Sequence, residues 1–397
     1  MNRKLSGFEQ WECLKVNLQH HVGEDAIVQR IEAGKRLRVK LGVDPTRPDL
    51  TFGHWVVFNK LRQFQDFGHE VVLLIGDYTA QIGDPSGRSS TRPALTPEKV
   101  EENASTYLRQ AFKILQQEQT TVCRNGEWLG KLSSVQLLDL TRRATVAQLL
   151  EREDFTNRYR DKTPISLMEF MYPLLQGYDS VALGADVEIG GTDQLFNMLM
   201  GRHMQREFGQ EAQAVLCLPL LVGLDGQRKM SKTYDNYITF NDPPSEMFGK
   251  TMSLPDNVMG DYFRLLLEES EDQTAGRKSL HPMATKKELA QALVARFYGE
   301  ESGRKARENF EALFSKKIIP EDVPEFSRRR LRSITLIDIL SETGLTKASR
   351  NELKRIFAQG GVEVDGHKIV DPFFTLPADK PLTIRIGKRV FFKLTAP

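Results

Sequence analysis

The sequence predicts an α/β fold with a parallel sheet, continued by an α-helical part and closed by a small basic α+β module. Three observations carry this. Leu37, Val39, Leu41 and Val43 alternate with Arg38, Lys40 and Gly42, and Glu70 to Gly76 then forms an unbroken apolar run, the pattern of a strand buried on both faces. After Asp242-Pro243-Pro244 the chain reads as amphipathic helices such as Lys286 to Tyr298. From Arg328 onward there are 14 Lys and Arg against 7 Asp and Glu, a net of +7 that leaves −5 for the rest. A basic piece appended to a mildly acidic body suits a polyanion, although a basic surface also serves solubility.

Taken in order, the strand ending at Val43 meets Asp44-Pro45-Thr46-Arg47-Pro48-Asp49, where two prolines and two aspartates oppose regular structure. A helix follows from Gly53-His54 to about Phe67, with Val57, Leu61 and Phe64 at helical spacing, and ends at Gly68. Strand, loop, helix and strand make a βαβ unit. Gly53-His54 therefore sits at a helix N-terminus beyond the carboxyl end of a strand, where free N–H groups attract phosphate. Gly53 lets a flat purine approach, and His54 can donate to phosphate oxygens. Taken alone, a Gly-His pair is structural more often than not.

Further along, Ile82 to Arg92 is a loop that supplies Asp84 and the cations Arg88 and Arg92. Between Ile165 and Ser180, Tyr172, Gln176 and Asp179 lie on one helix face in an otherwise apolar setting, close enough to converge on a small ligand. A carboxylate there needs a partner if buried; a solvent-facing Asp179 near the helix end is the alternative. Pro173 predicts a kink or an early turn. Val187-Glu188-Ile189 is a short strand entering Gly190-Gly191-Thr192-Asp193-Gln194, whose polar groups suit hydroxyls, or which is simply a cap with Thr192 or Asp193 as N-cap. Last comes Lys229-Met230-Ser231-Lys232-Thr233, a cationic loop that can close on a polyphosphate and release it. Such a pair in a Gly-containing turn is often plain surface; its weight comes from Gly53-His54 upstream.

The 397 residues suffice for two or three domains, with a linker expected around Ile318 to Phe326. Cys13, Cys123 and Cys217 are too few and too scattered for a disulfide framework or a zinc cluster. No apolar run is long enough to span a membrane and the N-terminus lacks signal-peptide character, so a cytoplasmic protein is expected.

These segments, in this order, resemble bacterial tyrosyl-tRNA synthetases, a family of class I aminoacyl-tRNA synthetases. Gly53-His54 matches the second half of the His-Ile-Gly-His signature and Lys229 to Thr233 matches Lys-Met-Ser-Lys-Ser. The resemblance implies a Rossmann-like parallel-sheet catalytic domain over 1–240, an α-helical anticodon-binding domain over 241–327 and an αL-type RNA-binding module over 332–397. It implies tyrosine activation by ATP with Mg2+, transfer to tRNA(Tyr), no protein-bound metal, and a homodimer with its interface near Arg158 to Phe170. Asp179 would accept a hydrogen bond from the substrate phenol. Asp84, Tyr172 and Gln176 would surround the ammonium, with Gln194 near the carboxyl end. Gly191 and Asp193 would hold the ribose, Gly53 and His54 the nucleotide, and Thr46, Lys229, Lys232 and Thr233 the pyrophosphate, helped by Arg88 and Arg92. In the C-terminal module Arg350, Lys354 and Arg355, with a Lys388-Arg389 edge, would meet an RNA backbone.

Two departures stand out. The first signature histidine is Thr51, a neutral hydroxyl in place of a potential cationic donor, and Lys40 stands where some members place a tyrosine that partners the phenol. Tryptophanyl-tRNA synthetases share the catalytic fold but are not expected to carry the C-terminal module. A noncatalytic RNA-binding relative would have no need of an intact Asp84, Asp179, Lys229 and Lys232.

Overall fold

A computed structural model describes residues 5–84, 96–277, 281–315, 324–327, 335–343, 346, 348–377, 381–387 and 390–395. Arg88, Arg92, Lys388 and Arg389 lie outside these residues, as does most of the expected linker. The chain divides into two compact units, Met1–Arg307 and Glu308–Pro397.

The first unit is built on a six-stranded sheet of β1 (His20–Val22), β2 (Arg38–Val43), β3 (Glu70–Ile75), β4 (Thr120–Arg124), β5 (Val187–Gly191) and β6 (Ala214–Leu218). Its order is β1-β6-β5-β2-β3-β4, parallel throughout except for the edge strand β1 on β6. The order reverses between β2 and β5. These two strands pair only at Val39↔Val187 and Lys40↔Glu188, so beyond that point a crevice opens at their carboxyl ends, the usual place for a ligand in such sheets. The helix after β2 runs Phe52–Asp66 with Thr51 as its N-cap. It buries more than one stripe: Phe52, Trp55, Val56, Phe58, Leu61 and Phe64 are all enclosed, whereas Val57 is half-buried. The extra burial comes from the helical segment that follows the sheet. Phe297, on the helix Pro282–Tyr298, stacks on Phe52 at 5.8 Å and meets Trp55 and Phe240 at 4.9 Å, edge and offset geometries that add to the area they bury. The helix Leu167–Leu183 continues through Pro173 instead of ending there. Its start is fixed by a capping box in which Ser166 and Glu169 exchange bonds with each other's backbone.

The second unit holds β7 (Glu325–Ser327), β8 (Val362–Val364), β9 (His367–Lys368), β10 (Leu382–Ile386) and β11 (Val390–Thr395), in the order β7-β11-β10-β8-β9. The helices Leu336–Glu342 and Arg350–Ala358 share a core with this sheet that includes Leu336, Ile339, Leu353, Phe357, Ile384 and Phe392. Asp365 and Gly366, both at positive φ, make the tight turn between β8 and β9.

Candidate active site

A cavity of about 360 Å³ opens where β2 and β5 part. It gathers residues from five separate stretches of sequence: Thr46, Thr51, Gly53 and His54; Asp84; Tyr172, Gln176 and Asp179; Gly191, Asp193 and Gln194; and Lys229, Lys232 and Thr233. Every described residue assigned to the amino-acid, nucleotide and pyrophosphate sites thus lines one space. Among the described residues, no group of three or more His, Cys, Asp or Glu is placed to hold a metal ion.

One end of the cavity is acidic and enclosed. Asp179 is buried and accepts from Trp128 Nε1 at 2.7 Å and Asn125 Nδ2 at 3.1 Å, which rules out the solvent-facing alternative. Burial pushes its carboxyl up to about 7, against the lowering charge of Lys40 and the bonds from Trp128 and Asn125. Tyr172 donates to Asp44 Oδ2 at 2.9 Å, and Thr79 donates to Asp44 Oδ1 at 2.8 Å. Asp44 keeps part of its surface on the cavity, yet its carboxyl is packed closely enough to rise to about 7, through desolvation first and then the charges of Asp84 and Asp179. This packing needs glycine beneath it: a Cβ on Gly76 would fall 2.0 Å from Asp44 Oδ1. Asp84 accepts from Gln194 Nε2 at 2.9 Å and lies 3.6 Å from the Arg152 guanidinium. Three carboxylates thus face a space of amino-acid size, a field that welcomes an ammonium.

The other end is cationic. Lys229 Nζ meets Asp193 Oδ2 at 2.6 Å, and Lys232 Nζ donates to the backbone carbonyl of Asp49. Asp225 accepts from the backbone N–H of Gln227 and of Arg228, each at 3.1 Å, while Asn236 takes the Ser231 N–H at 2.8 Å, so a defined turn carries both lysines. The Thr51 backbone N–H donates to His54 Nδ1 at 3.1 Å. With Nδ1 an acceptor, the ring proton sits on Nε2, and burial beside Lys232 lowers the imidazole to about 4. His54 is therefore a neutral donor at pH 7. A Cβ on Gly53 would meet only ordinary contacts, 3.5 Å to Thr51 Oγ1 and more than that elsewhere. The backbone does not require glycine there, so its smallness leaves cavity space.

The family model for class I tRNA synthetases (W and Y) matches residues 32–315. Among curated proteins, the tyrosine–tRNA ligase of Thermotoga maritima is 48% identical over 98% of this chain and 97% of its own length, and that of Aquifex aeolicus 47% over 98% and 99%. The chain belongs to the tyrosine–tRNA ligase family. Among solved structures, the tyrosyl-tRNA synthetase of Archaeoglobus fulgidus complexed with L-tyrosine superposes with a TM-score of 0.63 at 25% identity, covering 76% of this chain and 99% of that one. The C-terminally truncated mitochondrial enzyme of Aspergillus nidulans gives 0.62 at 22%, covering 79% and 95%, a likeness of fold.

In this member of the tyrosine–tRNA ligase family, several residues in and around the cavity carried no local signal. Asn125 and Trp128 come from the end of β4 and the short helix Gly126–Leu129 and reach Asp179 only through folding. Asp44 reads in sequence as a loop former. Glu188 does leave a trace, since a charge between Val187 and Ile189 in a strand buried on both faces requires a partner. In the second unit Arg350, Lys354 and Arg355 lie exposed on one helix, with Arg350 paired to Asp338 at 2.6 Å.

Proposed function

We propose that L-tyrosine lies with its phenol on Asp179 and its ammonium among Asp84, Tyr172 and Gln176, its carboxylate directed at Mg-ATP between His54, Lys229 and Lys232. As a tyrosine–tRNA ligase the chain uses ATP to activate tyrosine and charges tRNA with it. The observation that carries the proposed arrangement is the polarity of this cavity, acidic where the amino acid would sit and cationic where pyrophosphate would leave. No protein nucleophile is needed: the substrate carboxylate attacks the α-phosphorus, and the side chains orient the reactants and stabilise charge. Gln194 stands at the carboxyl end, Gly191 and Asp193 hold the ribose, and Thr46, Thr51 and Thr233 flank the phosphates. ATP–pyrophosphate exchange with tyrosine and with tryptophan tests it; tyrosine is the amino acid expected to drive exchange.

Replacing Thr51 with histidine probes the departure in the signature. The backbone bond from position 51 to His54 survives the change, so a second imidazole adds a donor without turning the first. Thr51→His is expected to quicken adenylate formation by up to roughly 100-fold, the worth of one preorganised donor. A single-turnover rate that stays level or falls would mean that the site is adapted to the hydroxyl.

The helical part and the basic C-terminal unit read as anticodon-binding and αL-type RNA-binding domains. Removing residues 332–397, which carry 11 of the 14 basic residues counted from Arg328, should leave pyrophosphate exchange intact. tRNA binding should weaken, and its salt dependence should become shallower, because fewer phosphates are neutralised. Equal charging rates and equal salt slopes would refute an RNA-binding role.

The homodimer that the family resemblance implies is supported by exposed apolar side chains. Val135, Leu138, Val146, Tyr159, Leu167 and Met168 are all exposed, and exposed apolar side chains that gather into a patch mark interaction sites. Arg158 and Glu169 are instead spent on a buried ion pair of 2.9 Å within the subunit. A soluble cytoplasmic enzyme is proposed; among the described residues no helix is long and apolar enough to cross a membrane.

A further inference from the structure

Beneath the amino-acid end of the cavity, Lys40 and Glu188 form an ion pair at 2.9 Å, with their side chains 0% and 2% exposed. They are register neighbours on β2 and β5, at the last rung before those strands separate. Every donor of Lys40 is occupied: Glu188 Oε1, Ser180 Oγ at 2.8 Å and the backbone carbonyl of Gln176 at 3.2 Å. Glu188 in turn accepts from Gln176 Nε2 at 3.3 Å, Ser180 Oγ at 3.1 Å and Gln213 Nε2 at 2.5 Å. Gln176 is therefore gripped twice, its carbonyl by the ammonium and its amide by the carboxylate. Burying two charges costs several kcal/mol of solvation per ion, roughly, and an apolar pair of similar volume is often as stable. Stability alone gives no reason to keep this pair at the one rung that borders the cavity.

We propose that Lys40, held by Glu188, is a specificity-determining positioning residue: it fixes Gln176 and places a positive charge facing Asp179, so that this single carboxylate can select a phenol over a phenyl ring. The inference rests on the reading of Asp179 as the phenol's partner and extends it to the pair below. The charged and titratable groups facing Asp179 are Lys40 on β2, Glu188 on β5, Asp44 at the end of β2 and Tyr172 on its own helix. Of these, Lys40 alone favours the ionised carboxylate. It compensates for the missing second hydroxyl partner by keeping the acceptor charged and the neighbouring Gln176 still.

The test uses the full chain and compares tyrosine with phenylalanine in ATP–pyrophosphate exchange across the neutral pH range. Glu188→Gln leaves Lys40 unopposed, so the acid limb of kcat/KM for tyrosine should move to lower pH. Gln213 Oε1 has no hydrogen-bond partner, so turning that amide would satisfy the new N–H of this variant. The pair-deleted variant Lys40→Met with Glu188→Gln should move the limb the other way, by about one pH unit, and cut the preference for tyrosine about tenfold. Shifts of opposite sign are a signature of charge that a packing defect would not produce. Should the double variant fail to fold, the Glu188→Gln limb alone decides. Wild-type limbs and wild-type preference in the folded variants would overturn the inference. Asp179→Ala separates the two readings: if it keeps the preference, the phenol assignment falls and this inference with it, whereas if only the pair variants keep it, Lys40 alone loses its role.

Discussion

Lys232→Ala is expected to slow tyrosyl-adenylate formation by about 10²–10³-fold, the usual cost of removing one preorganised donor, while tyrosine affinity stays nearly unchanged. In the free protein the Lys232 ammonium rests on the Asp49 carbonyl, 5.9 Å from the centre of the Tyr107 ring, at the cationic end of the cavity. Its carbonyl partner is neutral, so moving to a polyphosphate exchanges a weak acceptor for a strong one. Lys229 is placed differently, because it is ion-paired with Asp193, the carboxylate proposed to take a ribose hydroxyl. Lys232 is thus placed to follow charge as it builds on the departing pyrophosphate. Single-turnover rates and tyrosine dissociation constants check this. A large rise in the dissociation constant with an unaltered rate would place Lys232 in substrate binding instead.

The sheet was legible because its signals are local. The β2 and β3 runs, the intervening helix and the amphipathic helix ending at Tyr298 fall where periodicity puts them, and the helix after β2 starts one residue before Gly53 because Thr51 serves as its cap. Periodicity misleads at Lys40. An alternating strand predicts one exposed face, and Arg38 and Gly42 are exposed, but Lys40 between them is fully buried and pairs there with Glu188, almost 150 positions away. The cavity residues read from sequence were those in short motifs. Of the residues that shape the protonation of Asp179, Lys40 and Glu188 leave a trace as charges within strands, whereas Asn125 and Trp128 reach it only by tertiary contact between segments far apart in the chain, which no local pattern encodes.

Replacing Asp179 with alanine should abolish most of the preference for tyrosine over phenylalanine and leave ATP binding nearly intact. A hydrogen bond to a charged acceptor contributes about 1.5–3 kcal/mol, which sets a loss of roughly 10- to 150-fold as the smaller bound. The far larger ratio, on the order of 10⁵, is that already known for tyrosyl-tRNA synthetases and comes from them, not from this structure. The pH dependence supplies a second readout. Burial raises Asp179 from 3.8 to about 7, so in the free enzyme the carboxylate gains a proton as pH falls through 7 and ceases to be a pure acceptor. The kcat/KM for tyrosine, which reports the free enzyme, should therefore drop on the acid side of about 7. Stability should move the opposite way: a carboxyl raised on folding favours the folded state below its unfolded value and loses that contribution as pH climbs through 7. Asp179→Ala should flatten the part of both trends that this residue causes, leaving the share due to Asp44, also raised to about 7. An acid limb identical in wild type and variant would assign it to Asp44, and an unchanged amino-acid preference would remove Asp179 from phenol recognition.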